Sequence, residues 1–134
     1  MIRYLIDTNI ISELSRRSPD TKVLDWASGI SRCGLSVVTV EELYFGLSWR
    51  PNQRVMAWLQ KFMDEFCDIL TVTQPISQRA GILRGQFQAV GETRTQTDML
   101  IAATAAEHGL ALVTRNLKDF EGCGVAVLDP FAGK

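Results

Sequence analysis

Short apolar runs alternate along the chain with longer stretches in which apolar residues recur every three or four positions. The short runs have the length of buried β-strands, whereas the longer stretches have the spacing of helices that bury one face. Five strands are predicted, at residues 2–6, 33–38, 69–72, 111–114 and 125–128. Because these strands mostly alternate with helices, the pattern predicts an α/β fold with a parallel sheet covered on both faces.

Six helices are predicted between the strands. Two short helices precede the second strand and are separated by the Ser18-Pro19-Asp20 break. The others span residues 39–47, 53–66, 75–90 and 97–108. The sequence Thr39-Val40-Glu41-Glu42 has the pattern of a capping box, which places Glu42 in the first turn of its helix. Asp98 is predicted in the first turn of the last helix.

Several acidic and amide side chains lie close to predicted strand ends or helix starts. They are Asp7, Glu42, Asp98, Asn116 and Asp119. Asp7 ends the first strand, and Asn116 and Asp119 lie in the segment that follows the fourth strand. In a parallel sheet with right-handed crossovers, the C-terminal ends of all strands lie along one edge, and ligands bind in the crevice there. We therefore expect these side chains to meet at that edge.

Carboxylates that converge in one crevice repel each other, a cost that proteins usually accept where a cation or a proton neutralises them. Oxygen ligands without cysteine or histidine favour magnesium or manganese over zinc. Each acid also has a simpler explanation. Asp7 can end a strand with an Asx turn, Glu42 can close its capping box, and Asp98 can interact with a helix N-terminus. Their joint placement favours a shared Mg²⁺ or Mn²⁺ site.

Composition and charge restrict the possible functions. A chain of 134 residues with 46% hydrophobic residues has the size of one domain. Its formal net charge of -1 does not indicate nucleic-acid binding, so any such surface must be local. The single histidine, His108, lies near a predicted helix end, which argues against catalysis by histidine. The three cysteines lack the spacing of a zinc site, and the N-terminal segment lacks the pattern of a signal peptide or membrane span, so we expect a cytoplasmic protein.

Four short motifs occur in order along the chain. They are Leu5-Ile6-Asp7-Thr8-Asn9, Ser36-x-x-Thr39-x-x-Glu42-Leu43-x-x-Gly46, Asp98-x-x-Ile101-Ala102-Ala103-x-Ala105 and Thr114-Arg115-Asn116-x-x-Asp119-Phe120. Together they resemble the PIN-domain family, and specifically its VapC-type toxins, over nearly the whole chain. The resemblance implies a three-layer α/β/α sandwich around a mostly parallel five-stranded sheet, with residues 1–134 forming one PIN-like nuclease domain. It also implies an Mg²⁺- or Mn²⁺-dependent endoribonuclease that often forms homodimers, cleaves RNA as a toxin and is inhibited by a small VapB-type antitoxin.

The same resemblance suggests which residues bind metal and take part in catalysis. The family's invariant acids fall on Asp7, Glu42 and Asp98. The fourth acidic position falls on Asn116 in some relatives and on Asp119 in others, and both remain open. We expect Asp7 and Asp98 to hold the principal metal ion and Glu42 to hold or orient the attacking water. Asp119 would assist with a second metal ion or with its waters.

Polar and basic neighbours are expected to support this site. The side chains that would orient the carboxylates or hold waters are Thr8, Asn9, Thr114 and Asn116. The basic side chains near the crevice in sequence are Arg94, Arg115 and Lys118. These three are candidates to contact RNA phosphate, although a solvated surface role is equally open for each of them.

Two other classes of function are weighed against the nuclease. A receiver-like signalling domain also gathers carboxylates to bind magnesium. However, the third strand ends in Thr71-Val72-Thr73-Gln74 and offers no aspartate that could accept phosphate. The other alternative is a PIN-fold binding module that has lost catalysis, and the presence of Asp7, Glu42 and Asp98 argues against it.

An antitoxin needs a surface on which to bind. Amphipathic segments of partner proteins commonly bind in apolar grooves. We expect such a surface on the early helices, with contacts at Leu14, Trp26 and Trp58. The same three side chains could instead be part of the core.

Overall fold

Five strands and six α-helices make up most of residues 1–132, the part of the chain that the computed structural model describes. Positions 133 and 134 of the predicted domain lie outside the described residues. The strands are β1 (Tyr4–Ile6), β2 (Cys33–Ser36), β3 (Cys67–Leu70), β4 (Ala111–Val113) and β5 (Val127–Leu128). The helices are α1 (Thr8–Leu14), α2 (Thr21–Ser28), α3 (Val37–Trp49), α4 (Gln53–Phe66), α5 (Gln74–Ala89) and α6 (Gln96–His108). Two short 3-10 helices follow, at Leu117–Phe120 and Pro130–Ala132.

Every strand pairing in the sheet is parallel, and the strand order is β3-β2-β1-β4-β5. The chain moves outward from β1 through β2 to β3, and then returns to the other side of β1 to form β4. This reversal creates a crevice at the C-terminal ends of β1 and β4, which is where open α/β sheets bind ligands. The residues that follow β1 and β4 are therefore placed for a functional role.

Neighbouring residues of β1 face opposite sides of the sheet because side chains alternate along a strand. Leu5 packs in a cluster with Ile76 of α5 and Ala102 of α6, whereas Ile6 packs in a second cluster that includes Leu59 of α4. All five side chains are almost fully buried. Helices therefore cover both faces of the sheet, which confirms the predicted α/β/α sandwich.

The predicted boundaries agree with the structure best where the apolar spacing is longest. Helix α4 has the predicted bounds, and the Asn52 side chain caps it by accepting a hydrogen bond from the Val55 N–H. By contrast, β3 begins two residues earlier than predicted and β5 begins two residues later. β3 begins at Cys67 because this residue pairs in register with Cys33, the first residue of β2.

Helix α3 begins earlier than the capping-box pattern predicts. The Ser36 hydroxyl caps it by accepting a hydrogen bond from the Val38 N–H at 3.0 Å, so β2 passes directly into α3. The predicted start at Thr39 is therefore wrong. Glu42 lies in the second turn of α3, not in the first, because a turn takes 3.6 residues.

None of the helices within residues 1–132 is long and apolar enough to cross a membrane. Cys33, Cys67 and Cys123 are buried free thiols. His108 is the last residue of α6, and Gly109 follows it as a left-handed cap with φ of 65°.

Candidate active site

Asp7 lies directly after β1, at the point where the strand order reverses. Its backbone N–H donates to the Val113 carbonyl of β4 at 2.9 Å. It is also the N-cap of α1, where its Oδ1 accepts a hydrogen bond from the Thr8 N–H at 2.8 Å. Only 6% of Asp7 is exposed. A carboxylate as buried as this one needs hydrogen-bond donors or a cation around it.

Two polar side chains supply donors to Asp7. The Thr114 hydroxyl donates to Asp7 Oδ2 at 2.8 Å, and the Asn9 amide nitrogen donates to the same oxygen at 3.2 Å. Asn9 also joins the start of α1 to the segment after β4. Its side-chain nitrogen donates to Thr114 Oγ1 at 3.1 Å, and its side-chain carbonyl accepts from the Arg115 N–H at 3.0 Å. Thr114 is fully buried. These bonds fix the Asp7 carboxylate before any ligand binds.

Glu42 reaches the crevice from α3. Its Oε1 accepts a hydrogen bond from the Thr8 hydroxyl at 2.7 Å. Thr8 is the first residue of α1 and the neighbour of Asp7, so this bond brings the Glu42 carboxylate beside the start of α1. The contact with Thr8 therefore orients Glu42, and a capping box does not.

Asp98 lies in the first turn of α6, where the Thr95 hydroxyl caps the helix by accepting a hydrogen bond from the Asp98 N–H at 3.0 Å. Burial raises the pKa of the Asp98 carboxyl above its ordinary range. A hydrogen bond with the Thr95 side chain opposes this rise in pKa, whereas the negative charges of Asp119, Asp7 and Glu42 add to it. The structure thus brings the four predicted acids into one electrostatic group, the acidic site.

Two residues in the segment after β4 are candidates for the fourth acidic position. Asp119 lies exposed in the 3-10 helix Leu117–Phe120, and its charge raises the pKa of Asp98 more than the other two acids do. Asn116 precedes that helix without capping it through its side chain. Its backbone N–H donates to Thr114 Oγ1 at 3.1 Å. Its effect on the pKa of Asp98 makes Asp119 the stronger candidate for the fourth position.

Thr95 is a residue of this site that the sequence analysis did not single out. The pattern Thr95-Gln96-Thr97-Asp98 has the form of a capping box, with a hydroxyl at the cap and an acid three positions later. Placing the helix start at residue 97 concealed this pattern. The observed start at Gln96 makes Thr95 the residue that holds Asp98 in place.

The acidic site offers oxygen donors of the kind that hard divalent cations prefer. Within residues 1–132, no three side chains of histidine, cysteine, aspartate or glutamate are arranged closely enough to hold one ion. An ion such as Mg²⁺ does not require three, because it keeps several waters and commonly binds through one or two carboxylates. Asp7, fixed by its donors at the reversal of strand order, and Asp98, in the first turn of α6, are the candidates for such a pair. The residues present therefore fit a hydrated divalent ion.

The three basic candidates differ in their surroundings. Arg115 and Lys118 are exposed on the segment after β4. Arg94 is turned inward, because its guanidinium donates to the backbone carbonyls of Asp119 and Glu121 and its side chain is only 12% exposed. Because these internal acceptors occupy its guanidinium, Arg94 is less available to RNA phosphate than Arg115 and Lys118 are.

The fold has counterparts among known proteins. The family model described as PIN domain matches residues 4–122. The chain belongs to the PIN domain family. A VapC ribonuclease of Sinorhizobium fredii, Y4jK, is 33% identical to this PIN domain over 135 residues, and the match covers 95% of the chain and 96% of the relative.

Two solved structures share the architecture of this PIN domain. The crystal structure of FitAcB from Neisseria gonorrhoeae matches it with a TM-score of 0.80 at 29% identity, covering 96% of this chain and 98% of the other. A toxin-antitoxin complex from Klebsiella pneumoniae has a TM-score of 0.71 at 29% identity, covering 95% and 97%. The predicted resemblance to VapC-type PIN domains is thereby confirmed, and the receiver-like alternative is excluded. PIN-domain nucleases of the VapC type generally use a divalent metal ion, which agrees with the donors of the acidic site.

Proposed function

We propose that this PIN domain is an Mg²⁺- or Mn²⁺-dependent endoribonuclease of the VapC type, the cytoplasmic toxin of a toxin–antitoxin pair. Residues 1–134 form its single nuclease domain. The observation that carries the proposal is the buried Asp7 carboxylate at the reversal of strand order, held by Thr114 and Asn9, with Glu42 bound to the neighbouring Thr8. The ribonuclease and the toxin-antitoxin complex among its relatives support the same function. Light scattering would test the homodimer that the resemblance implies.

Each acid has a task that its surroundings allow. Asp7 and Asp98 would hold the metal ion, because Asp7 is already oriented by its donors and a cation would lower the raised pKa of Asp98. When bound, the ion makes a water more acidic and neutralises charge on phosphate oxygens. Glu42, oriented by Thr8, positions the attacking water. Asp119 accepts hydrogen bonds from further waters at the exposed rim of the crevice.

Arg115 and Lys118 are the residues that we propose to contact RNA phosphate beside the acidic site. Both are exposed, and Lys118 shares a 3-10 helix with Asp119. The Arg115 guanidinium lies over the Phe131 ring, with its carbon 4.2 Å from the ring centroid. This stacking restrains the arginine and leaves its N–H groups available for phosphate. The two cations supply the local positive charge that a protein of net charge -1 needs to bind RNA.

The purified protein is expected to cleave single-stranded RNA in Mg²⁺ or Mn²⁺ and to stop when a chelator removes the ion. Gel electrophoresis of an end-labelled RNA measures the rate, and returning the ion in excess over the chelator should restore it. Cleavage that continues in the chelator contradicts the proposed metal dependence. RNA that is bound but never cut would favour the catalytically silent binding module.

An apolar groove of about 350 Å³ offers a surface for the antitoxin. Its lining includes the apolar side chains Leu14, Leu24, Trp26, Ile30, Trp58 and Phe62. Leu14, Trp26 and Trp58 are half-buried, and they pack against the cluster that contains Ile6 while also lining the groove. Packing on the core is therefore compatible with a contact to the antitoxin. We propose that an amphipathic segment of the antitoxin places its apolar side chains in this groove.

Expression of the protein is expected to arrest growth, and co-expression of its cognate VapB-type antitoxin should relieve the arrest. Leu24→Asp should still arrest growth but resist this relief, because Leu24 is 43% exposed on the groove and a charge there opposes apolar docking. The control Ile82→Asp changes a residue of α5 that is 59% exposed outside the groove, and it should behave like the wild type. Equal relief of both variants would place the antitoxin elsewhere. Harmless overproduction of active protein would contradict the toxin role.

A further inference from the structure

Arg94 lies in the loop between α5 and α6, shortly before the first turn that carries Asp98. Its Nη1 donates to the backbone carbonyl of Asp119 at 3.0 Å, and its Nη2 donates to the carbonyl of Glu121 at 2.8 Å. These two carbonyls stand on either side of Phe120, which is buried in the core. The guanidinium therefore holds the turn that contains Asp119 from both ends.

The guanidinium is also held on its other sides. Its carbon lies 3.8 Å from the centroid of the Phe87 ring in α5, and Nη2 contacts the Glu92 carboxylate at 3.2 Å. Nη1 is 3.8 Å from the buried sulfur of Cys123. An arginine with a stacked ring, an ion pair and two carbonyl acceptors has little freedom to move. It links the end of α5, the start of α6 and the segment after β4.

Apart from its own backbone turns, from the Asp119 N–H to the Asn116 carbonyl and from the Glu121 N–H to the Lys118 carbonyl, the segment around Asp119 is held by Phe120 and Arg94. Asp119 is exposed in a 3-10 helix of four residues, and Asn116 does not cap that helix through its side chain. Gly122 and Gly124 follow at φ of 79° and 77°, where they allow tight turns but contribute no side chain. Phe120 anchors the segment in the core, and the contacts with Arg94 orient the peptide groups on both sides of it.

We propose that Arg94 is a positioning residue that orients the segment around Asp119 and thereby holds the Asp119 carboxylate in the acidic site. This inference rests on the proposed nuclease function, and Arg94 acts only through Asp119. An arginine is required because its planar guanidinium reaches two carbonyls at once, whereas a lysine ammonium is a single point on a flexible stem. Arg94→Lys therefore keeps the charge and removes the double contact.

A double-mutant cycle of Arg94→Lys and Asp119→Asn tests the proposal. Two quantities are measured for each protein, namely the Mg²⁺ concentration for half-maximal RNA cleavage and the rise in melting temperature that Mg²⁺ causes. Each single variant is expected to raise the half-maximal concentration by about 10-fold, a typical loss for residues that orient metal ligands. Because Arg94 acts through Asp119, the double variant should respond like Asp119→Asn alone. A residue needed only for stability would add a loss of its own.

Two further variants serve as controls. Arg79→Lys alters an arginine of α5 whose exposed ion pair with Glu107 spans 3.4 Å outside the acidic site, and it should leave both quantities unchanged. Lys118→Gln should weaken RNA binding, measured without metal by fluorescence anisotropy, because it removes a phosphate contact. Arg94→Lys should show the opposite pattern, with unchanged RNA binding and an altered response to Mg²⁺.

Additive losses in the double variant, or a wild-type response to Mg²⁺ in Arg94→Lys, would overturn the proposal. If Arg94→Lys does not fold, Phe87→Leu takes its place, since it removes the ring beneath the guanidinium and keeps an apolar side chain. It should raise the half-maximal concentration by a smaller factor, and this effect should vanish in Asp119→Asn. An unchanged response in Phe87→Leu would then overturn the inference alone. A wild type that shows neither metal-dependent cleavage nor a melting shift overturns the proposed function and this inference together.

Discussion

Asp98→Asn is expected to lower the rate of RNA cleavage at a fixed Mg²⁺ concentration by at least about 100-fold. Replacing a residue that only orients a metal ligand typically lowers metal affinity or activity by about 10–100-fold, so replacing a ligand itself should lower activity by at least as much. The amide nearly preserves the shape of the carboxylate but removes the charge that a hard cation requires. Asp7→Asn should cause a comparable loss, because Asp7 is the carboxylate fixed by Thr8, Asn9 and Thr114. Initial rates on a labelled RNA, at equal concentrations of folded protein, measure both effects.

Asp64→Asn is the matched control for these two variants. Asp64 is exposed in α4, and its charge does not contribute to the raised pKa of Asp98. This variant should cleave RNA at the wild-type rate. If Asp98→Asn cleaves within a few-fold of Asp64→Asn, Asp98 is not a metal ligand.

The melting temperature should reveal the electrostatics of the acidic site independently of cleavage. Without metal, Asp98→Asn should be at least as stable as the wild type, because it removes repulsion from Asp119, Asp7 and Glu42. Mg²⁺ at ten times its dissociation constant should stabilise the wild type by about 1.4 kcal/mol. For a chain of this size the melting temperature then rises by about 5 °C. The variant should lose most of this rise, since it lacks a charged ligand.

The stability difference without metal should also depend on pH. Burial and the neighbouring charges raise the pKa of Asp98 in the folded state, so the folded protein binds this proton more tightly than the unfolded chain does. The contribution of Asp98 to the stability of the wild type therefore falls as pH rises from the ordinary aspartate pKa, about 3.9, through the raised pKa, and the full cost is present above it. The advantage of Asp98→Asn should be largest at neutral pH and shrink as the pH is lowered. Melting curves in a chelator at several pH values measure the difference.

One result would assign Asp98 a purely structural role. In that result, Asp98→Asn is markedly less stable than the wild type without metal, yet its melting temperature rises by the same amount when Mg²⁺ is added. Asp98 would then be a helix-capping residue that interacts with the N-terminus of α6. The assignment of a shared metal site to Asp7 and Asp98 would then be wrong.

The edge of the sheet that carries the acids could be predicted because it follows from local patterns. Asp7 comes directly after an apolar run, and Asp98 stands at the start of a helical stretch closed by Gly109. Parallel pairing then brings such positions to one edge of the sheet. The observed places of Asp7 after β1 and of Asp98 in the first turn of α6 agree with these predictions.

The boundaries that depend on pairing could not be predicted in the same way. β3 begins at Cys67 because this residue pairs with Cys33, although the apolar run starts two residues later. α3 begins at Val37 because the Ser36 hydroxyl lies at the end of β2, where it can accept from the Val38 N–H. A pattern of apolar positions records neither the register of a neighbouring strand nor the direction of a hydroxyl group.

By itself, the sequence determined the α/β class, the family resemblance and the four acids at one edge. Only the tertiary structure decided how those acids are held. The Thr8 hydroxyl donates a hydrogen bond to Glu42, 34 positions away in the sequence, and the Thr114 hydroxyl donates one to Asp7, 107 positions away. Arg94 shows most clearly why the sequence could not decide this. A basic side chain close to acids in the sequence suggests a contact with phosphate. Its acceptors are instead backbone carbonyls 25 and 27 positions away. Every residue carries a carbonyl, so no residue type in the sequence marks the ones that packing brings within reach.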